Sequence, residues 1–311
     1  DEENRRAAQE HKARKYQARV YEQFPIRAWD HWLDERVGHV LVQEAKAGAE
    51  ARDLLAGSKL AAQTGFGGRA GDPTAEFDAV WAPDGKSIVF LAVTNREKLA
   101  SEETPLQVFE VSLAGGEPRR LTNDRDDYGQ PRFRPDGKAL LLTMQPGGDG
   151  QVYHHSRLVS FAWPYDPTSR KVLTAGADVS VAQYGITGDG RQAYFTAETA
   201  GQEKLFSVVT DGSAPVRAFD LPAGAAIVAN YDSAVSPPEV VLIDAKTLNY
   251  RFLTQFTARQ VAQLDLPPVE HFTFTSAKGR KIHNLLVRPP HFDPAKKYPL
   301  FVVIHGGANM M

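Results

Sequence analysis

The chain contains no cysteine in its 311 residues. This excludes disulfides, thiolate zinc sites and a cysteine nucleophile, and it leaves the cellular compartment open. No stretch approaches the roughly 18 apolar residues of a membrane-spanning helix. The opening Asp1-Glu2-Glu3-Asn4-Arg5-Arg6 is charged where a secretory leader would be apolar. An excess of charge of one sign is missing too. The 36 Lys and Arg stand against 38 Asp and Glu, for a net charge of −2. So weak a field gives no general attraction to nucleic acid or to acidic membranes. Several motifs are absent as well: His-Glu-x-x-His, a phosphate loop ending in Gly-Lys-Ser/Thr, and Gly-x-Ser-x-Gly.

What is present is ordinary in bulk. Hydrophobic residues make up 42% and charged residues 24%, as in a soluble globular protein. The length allows two domains or one large β architecture. Residues 1–24 are dense in Arg, Lys, Glu, Gln and Ala, and no Gly or Pro occurs before Pro25. They read as an exposed helical lead-in, or as a helix between two repeats.

From residue 25 to 268 the texture becomes short apolar runs broken by Gly, Pro, Asp and Asn. Examples are His39–Val42, Ser87–Val93, Ala139–Met144, Gln192–Ala197, Lys204–Val209 and Glu239–Ile243. Their length and their β-branched and aromatic content predict strands joined by tight turns.

The region also repeats. Phe77-Asp78-Ala79-Val80-Trp81-Ala82-Pro83-Asp84-Gly85-Lys86 returns as Gly129-Gln130-Pro131-Arg132-Phe133-Arg134-Pro135-Asp136-Gly137-Lys138. A worn copy follows at Tyr184-Gly185-Ile186-Thr187-Gly188-Asp189-Gly190-Arg191. The aspartates Asp84, Asp136 and Asp189 stand 52 and 53 residues apart, and an apolar strand follows each. A second mark, Arg120-Leu121-Thr122, recurs as Val172-Leu173-Thr174 and again as Phe252-Leu253-Thr254. Pro-Asp-Gly is hairpin chemistry: proline presets φ, Asp bonds its own backbone and Gly accepts positive φ. The preceding aromatics, Trp81 and Phe133, are expected to pack between neighbouring sheets. One four-stranded sheet per ~40–50 residues is the period of a β-propeller blade. Four to five blades are expected, with weaker ones around Val40–Leu55 and Ile227–Thr254.

After Asp265-Leu266-Pro267-Pro268 the pattern shifts again. Residues 269–276 alternate as a strand, residues 277–280 turn, and residues 281–288 pair back as a hairpin. Lys296-Lys297-Tyr298-Pro299 leads into Leu300–Ile304, a continuous apolar run expected to be a strand buried on both faces. His305-Gly306-Gly307 follows. In α/β-type serine hydrolases such a turn brings the backbone close to the scissile carbonyl and aims N–H groups at the developing oxyanion.

These features carry a resemblance. The Asp-Gly blades resemble those of TolB-like proteins and of the prolyl oligopeptidase (S9) family. The hairpin, Arg288-Pro289-Pro290, Phe292-Asp293-Pro294, Lys-Lys-Tyr-Pro and His-Gly-Gly resemble the opening of that family's peptidase domain. The match is to its acylaminoacyl- and dipeptidyl-peptidase-like branch. Tyr21-Glu22-Gln23-Phe24-Pro25-Ile26-Arg27-Ala28-Trp29-Asp30-His31-Trp32 is similar to a mid-propeller segment of the same enzymes. The expected fold is therefore mainly β. A partial β-propeller (25–268) would be followed by the first strands of an α/β-hydrolase domain (269–311), the whole being an internal piece of a larger enzyme. The chain departs from the family in lacking the nucleophile elbow and the acid and base that follow it. It has Ala308 where proline is common after His-Gly-Gly. It has Tyr153-His154-His155-Ser156-Arg157 where many relatives carry Glu-x-Asp-Arg.

The resemblance implies a serine peptidase acting on short peptides, gated by the propeller, with no cofactor. Gly307 would supply the oxyanion N–H, while Gly306 and His305 support the turn and His305 is not the triad base. The nucleophile, acid and base would come from the remainder of the peptidase domain, and a homodimer is left open. Export to the periplasm or medium is favoured over a cytoplasmic site, because relatives in Gram-negative bacteria are often exported. Two other readings stay open: a non-catalytic propeller that binds a partner, and an esterase.

Other residues are weighed against plain structural roles. His154 and His155 point to opposite faces if they lie on a strand, so they cannot chelate one ion. Asp124-Arg125-Asp126-Asp127 and the turn aspartates lack calcium-loop spacing. Gly65-Phe66-Gly67-Gly68-Arg69 is no phosphate loop. Trp29, Trp32, Trp81 and Trp163 are expected in blade cores rather than on a ligand. Arg132, Arg134 and Arg157 are candidates to meet a peptide carboxylate.

Overall fold

The structure, a computed structural model, describes residues 2–16, 18, 21, 24–28, 30–33, 36–151, 153–199, 202–218, 226–244, 247 and 249–303. It opens with helix α1 (Glu2–Ala13), which covers only the first half of the 1–24 lead-in expected to be helical. Short antiparallel pairs follow: β1 (Arg27–Ala28) with β2 (His31–Trp32), and β3 (Leu41–Val42) with β4 (Arg52–Asp53).

The repeated region then forms successive antiparallel sheets in up-and-down order. The first contains β5 (Ala79–Trp81), β6 (Ser87–Ala92), β7 (Gln107–Ser112) and β8 (Arg119–Arg120). The second contains β9 (Asp127–Phe133), β10 (Ala139–Gln145), β11 (Arg157–Ala162) and β12 (Asp166–Val172). The third contains β13 (Tyr184–Ile186), β14 (Gln192–Thr199), β15 (Gln202–Val209) and β16 (Arg217–Ala218). The fourth has three strands: β17 (Ala226–Ser233), β18 (Ser236–Asp244) and β19 (Tyr250–Phe252). Helix α2 (Ala258–Val261) leads to the hairpin of β20 (Glu270–Thr275) and β21 (Lys281–Leu286), close to the expected bounds.

The Asp-Gly turns share one geometry. Asp84, Asp136 and Asp189 each accept the backbone N–H two residues on, at 3.0 Å in all three. Gly85, Gly137 and Gly190 sit at φ of 67°, 70° and 72°, where a Cβ is strained. Arg134 holds the Asp136 carboxyl below its ordinary range, and the Thr187 hydroxyl does the same for Asp189.

The Leu-Thr mark has an equally regular role. Leu121, Leu173 and Leu253 donate their N–H to the carbonyls of Val108, Leu158 and Val240, at 2.8, 2.8 and 2.7 Å. The Thr122, Thr174 and Thr254 hydroxyls then accept the N–H of those same three residues, at 3.0, 3.0 and 2.8 Å. Each threonine thereby extends the ladder of its sheet by one bond beyond the last strand. This satisfies a strand N–H that the last strand of the sheet has already left.

By contact density the chain divides into two units, residues 1–133 with 146–150, and residues 134–145 with 151–311. In the first, Phe90 and Phe109 stack at 5.6 Å, and Phe77 bridges Phe90 and Phe66 at 5.5 and 5.6 Å. Val40, Leu54, Leu55 and Leu60 close this core. All six residues of β6 are buried, which is why it reads as an unbroken apolar run rather than an alternation. In the second unit, Leu141 and Leu158 pack against Tyr184, Ala193 and Phe195 of the next sheet. The Tyr184 hydroxyl donates to the Leu141 carbonyl at 2.9 Å, so this face-to-face packing carries its own polar tie.

Two expectations are corrected. Trp81 is 52% exposed and Trp32 49% exposed, so neither fills a core. The apolar interior is built from Phe90, Phe109 and Phe195 instead, which lie on buried positions of β6, β7 and β14, and from Phe66, which a loop turns into the core. Trp163 is half-buried, and Trp29 lies outside the described residues. Leu300, Phe301, Val302 and Val303 form no strand and are 67–87% exposed, while Ile304 lies outside the described residues. A strand buried on both faces needs neighbouring strands and covering helices. Exposure of this degree means that no described element covers this run.

Candidate functional site

His305, Gly306 and Gly307, the sequence's catalytic candidates, lie outside the described residues. The approach to them is described. The Tyr298 hydroxyl accepts the Asp293 N–H at 2.9 Å, and Tyr298 and Phe292 pack with centroids 5.2 Å apart. The Arg288 guanidinium lies 4.5 Å over the Phe292 ring and also pairs with Glu270. Arg288-Pro289-Pro290 and Phe292-Asp293-Pro294 thus form one cross-linked loop, held by a cation–π contact and a carboxylate fork.

The three candidate arginines are not brought together. Arg134 makes a two-pronged bond to Asp136, at 2.8 and 2.6 Å, and serves the turn. Arg157 donates Nη1 to the carbonyls of Thr174 and Ala177, so it clamps a loop. Arg132 is exposed on β9 and makes contacts of its own.

His155 faces Asp178 at 3.1 Å. Among the described residues no group of three or more His, Asp or Glu is arranged to hold a metal ion. The Asp124–Asp127 run also resolves into structural bonds. Asp124 accepts the Tyr128 hydroxyl at 2.8 Å, Asp126 the Gly147 N–H at 3.1 Å, and Asp127 the Leu106 N–H at 2.6 Å. Gly65 packs against the segment 94–97, Gly67 against Pro73 and Gly68 against Ala75. A Cβ on Gly65 would lie 2.5 Å from the Thr94 carbonyl oxygen.

Sequence reading missed two buried polar residues. Arg96 is 7% exposed, and burial lowers its pKa against the opposing pull of Glu97 and then Asp72. Its Nε and Nη1 find no hydrogen-bond partner among the described residues. Nothing in the local sequence separates it from a surface arginine.

Glu239, 6% exposed, stands just before Val240, where Gln107 and Arg157 stand before Val108 and Leu158. All three clamp the segment after the last strand of their sheet, and the Leu-Thr mark was the signal that could have located them. Glu239 accepts the Thr254 hydroxyl at 2.5 Å, and the Thr257 N–H and hydroxyl at 2.8 and 2.9 Å. Chiefly through Thr254, these bonds pull its pKa from 4.5 down to about 2. A depressed carboxyl contributes stability above its ordinary pKa, and that contribution is lost as pH falls toward the folded value. Acidification from about 4.5 to about 2 is therefore expected to weaken the fourth sheet. Urea midpoints of the chain and of Glu239→Gln, measured at neutral pH and at about pH 2.5, should converge on acidification. A gap that stays constant with pH rules this out.

No family model matches the chain. Dipeptidyl-peptidase 5 of Schizosaccharomyces pombe is 25% identical to it over 316 residues, covering 93% of this chain and 43% of that protein. The chain is a distant homologue of dipeptidyl-peptidase 5, an S9-family enzyme. Dipeptidyl-peptidase 5 of Porphyromonas endodontalis gives the same picture: 25% identity over 306 residues, 94% of this chain and 42% of the relative. The chain spans less than half the length of these relatives. Among solved structures, puromycin hydrolase aligns over 71% of this chain and 35% of its own, with a TM-score of 0.48 and 19% identity.

Proposed function

We propose that the chain is part of a serine peptidase of the S9 (prolyl oligopeptidase) family that hydrolyses short peptides. The sheets between residues 79 and 254 are blades of a β-propeller that limits which peptides reach the active site. Residues 269–311 open an α/β-hydrolase domain. The observation that carries this reading is the relation to dipeptidyl-peptidase 5 over 93% of the chain. The three alike Asp-Gly turns, one in each four-stranded sheet, and the recurring Leu-Thr closures support it, since they mark repeating antiparallel modules.

In this reading a serine supplied by the remainder of the peptidase domain attacks the scissile carbonyl. The backbone N–H of Gly307 donates to the oxyanion that forms, and water then hydrolyses the acyl-enzyme. Gly306 and His305 shape the turn, and the reaction draws on no cofactor.

The test is to express the longest reading frame that contains this chain and treat it with a fluorophosphonate probe. The probe should label one serine, and the enzyme should release the chromophore from dipeptidyl anilides. A protein that is folded but never labels is a binding module and not a peptidase. A labelled enzyme that cleaves simple acyl esters and leaves dipeptidyl anilides intact is an esterase.

A further inference from the structure

The hairpin of β20 and β21 carries two histidines on one face. His271 lies opposite Leu285 and His283 opposite Thr273, so the two histidines are diagonal cross-strand neighbours. At this spacing ring side chains reach each other. His271 Nδ1 and His283 Nε2 are 3.2 Å apart, with ring centroids at 5.2 Å and planes inclined by 27°. Both residues are exposed, so the pair is open to solvent.

Their environment differs from that of the other paired histidines. His39 meets Asp53 at 2.6 Å, His155 meets Asp178 at 3.1 Å, and His291 meets Asp265 at 3.0 Å. A carboxylate partner occupies a ring nitrogen that a metal would otherwise use. Among the described residues neither His271 nor His283 meets a carboxylate, and the charge nearest in register on their face is Lys281, opposite Thr275. What joins them is a single contact between two ring nitrogens. A divalent cation can take its place between two imidazoles.

The spacing suits that exchange. Imidazole binds zinc at about 2.0–2.1 Å, so two nitrogens on a tetrahedral ion stand about 3.3 Å apart, and at a right angle about 2.9 Å. The observed 3.2 Å lies between these limits. We propose that His271 and His283 form a two-histidine site for a borderline divalent transition metal (zinc, copper or nickel), with water completing the coordination. Hard cations are excluded, because magnesium and calcium take oxygen ligands. The ion would bridge β20 to β21 and clamp a hairpin that has little other packing. All six residues of β20 are exposed, and an isolated two-stranded hairpin is marginal in water.

The test uses the untagged 311-residue chain. Zinc is titrated by calorimetry, with the histidine ring signals followed by NMR. The signals of His271 and His283 should move together and saturate at one equivalent, and magnesium should move neither. His271→Asn and His283→Asn should each weaken zinc binding by about tenfold or more, while His154→Asn should leave it unchanged. Unchanged far-ultraviolet circular dichroism would show that these exposed substitutions leave the fold intact. Zinc binding of equal strength in either hairpin variant overturns the proposal. So does the absence of any shift at His271 and His283 up to millimolar zinc.

Discussion

If the proposed reading holds, replacing Gly307 by proline in the whole protein is expected to lower kcat by about 10²–10³-fold and to leave KM nearly unchanged. Proline has no backbone N–H, so the substitution deletes the proposed oxyanion donor and nothing else that touches substrate. The donor binds charge that exists only in the transition state, so its loss falls on the chemical step and not on peptide binding. The magnitude corresponds to about 2.7–4 kcal/mol, the range for removing one such donor. Gly307→Ala keeps the N–H and separates loss of the donor from loss of glycine. Steady-state kinetics on a dipeptidyl anilide decides the matter. A proline variant with undiminished kcat removes Gly307 from the mechanism.

Phe90→Ala is expected to destabilise the first unit by about 3–5 kcal/mol, the range for emptying an aromatic site in a packed core. Phe90 is fully buried, and its ring contacts both Phe77 and Phe109. Truncation therefore removes two aromatic contacts and leaves a cavity between β6 and β7. The neighbouring strands cannot collapse into it without breaking the six-residue register that pairs Ser87–Ala92 with Gln107–Ser112. Urea unfolding should show a lower midpoint, and Phe90→Leu should recover part of the loss. An alanine variant with an unchanged midpoint would mean that this cluster does not hold the unit together.

The repeat was legible because its signals are local. An Asp-Gly turn works through the φ of one glycine and a bond two residues long, so residues 84–86, 136–138 and 189–191 announce their geometry in the sequence itself. The hairpin 269–288 was legible for the same reason, with Gly279 at φ 74° in its turn. The Leu-Thr mark was visible as a recurrence, but its purpose was not. Thr122 caps Val108 from 14 residues away, and no local rule links the two. Trp81 misled because a tryptophan at the same repeat position as Phe133 reads as core. Which face of a short edge strand is covered depends on neighbours distant in sequence, and Trp81 lies on the open side.

By itself the sequence determined the chemistry it excludes, the mainly β character, the repeat, and the turns that space it. These follow from composition and from backbone preferences of single residues, which act wherever the chain is. Only the tertiary structure decided which buried polar groups the sheets enclose and which histidines meet. Glu239 becomes a strongly acidic carboxyl, Arg96 a buried guanidinium and His271 the neighbour of His283 because separate strands are brought into register. Burial and pairing depend on all the groups around a residue at once, and a linear string carries that information only when it repeats.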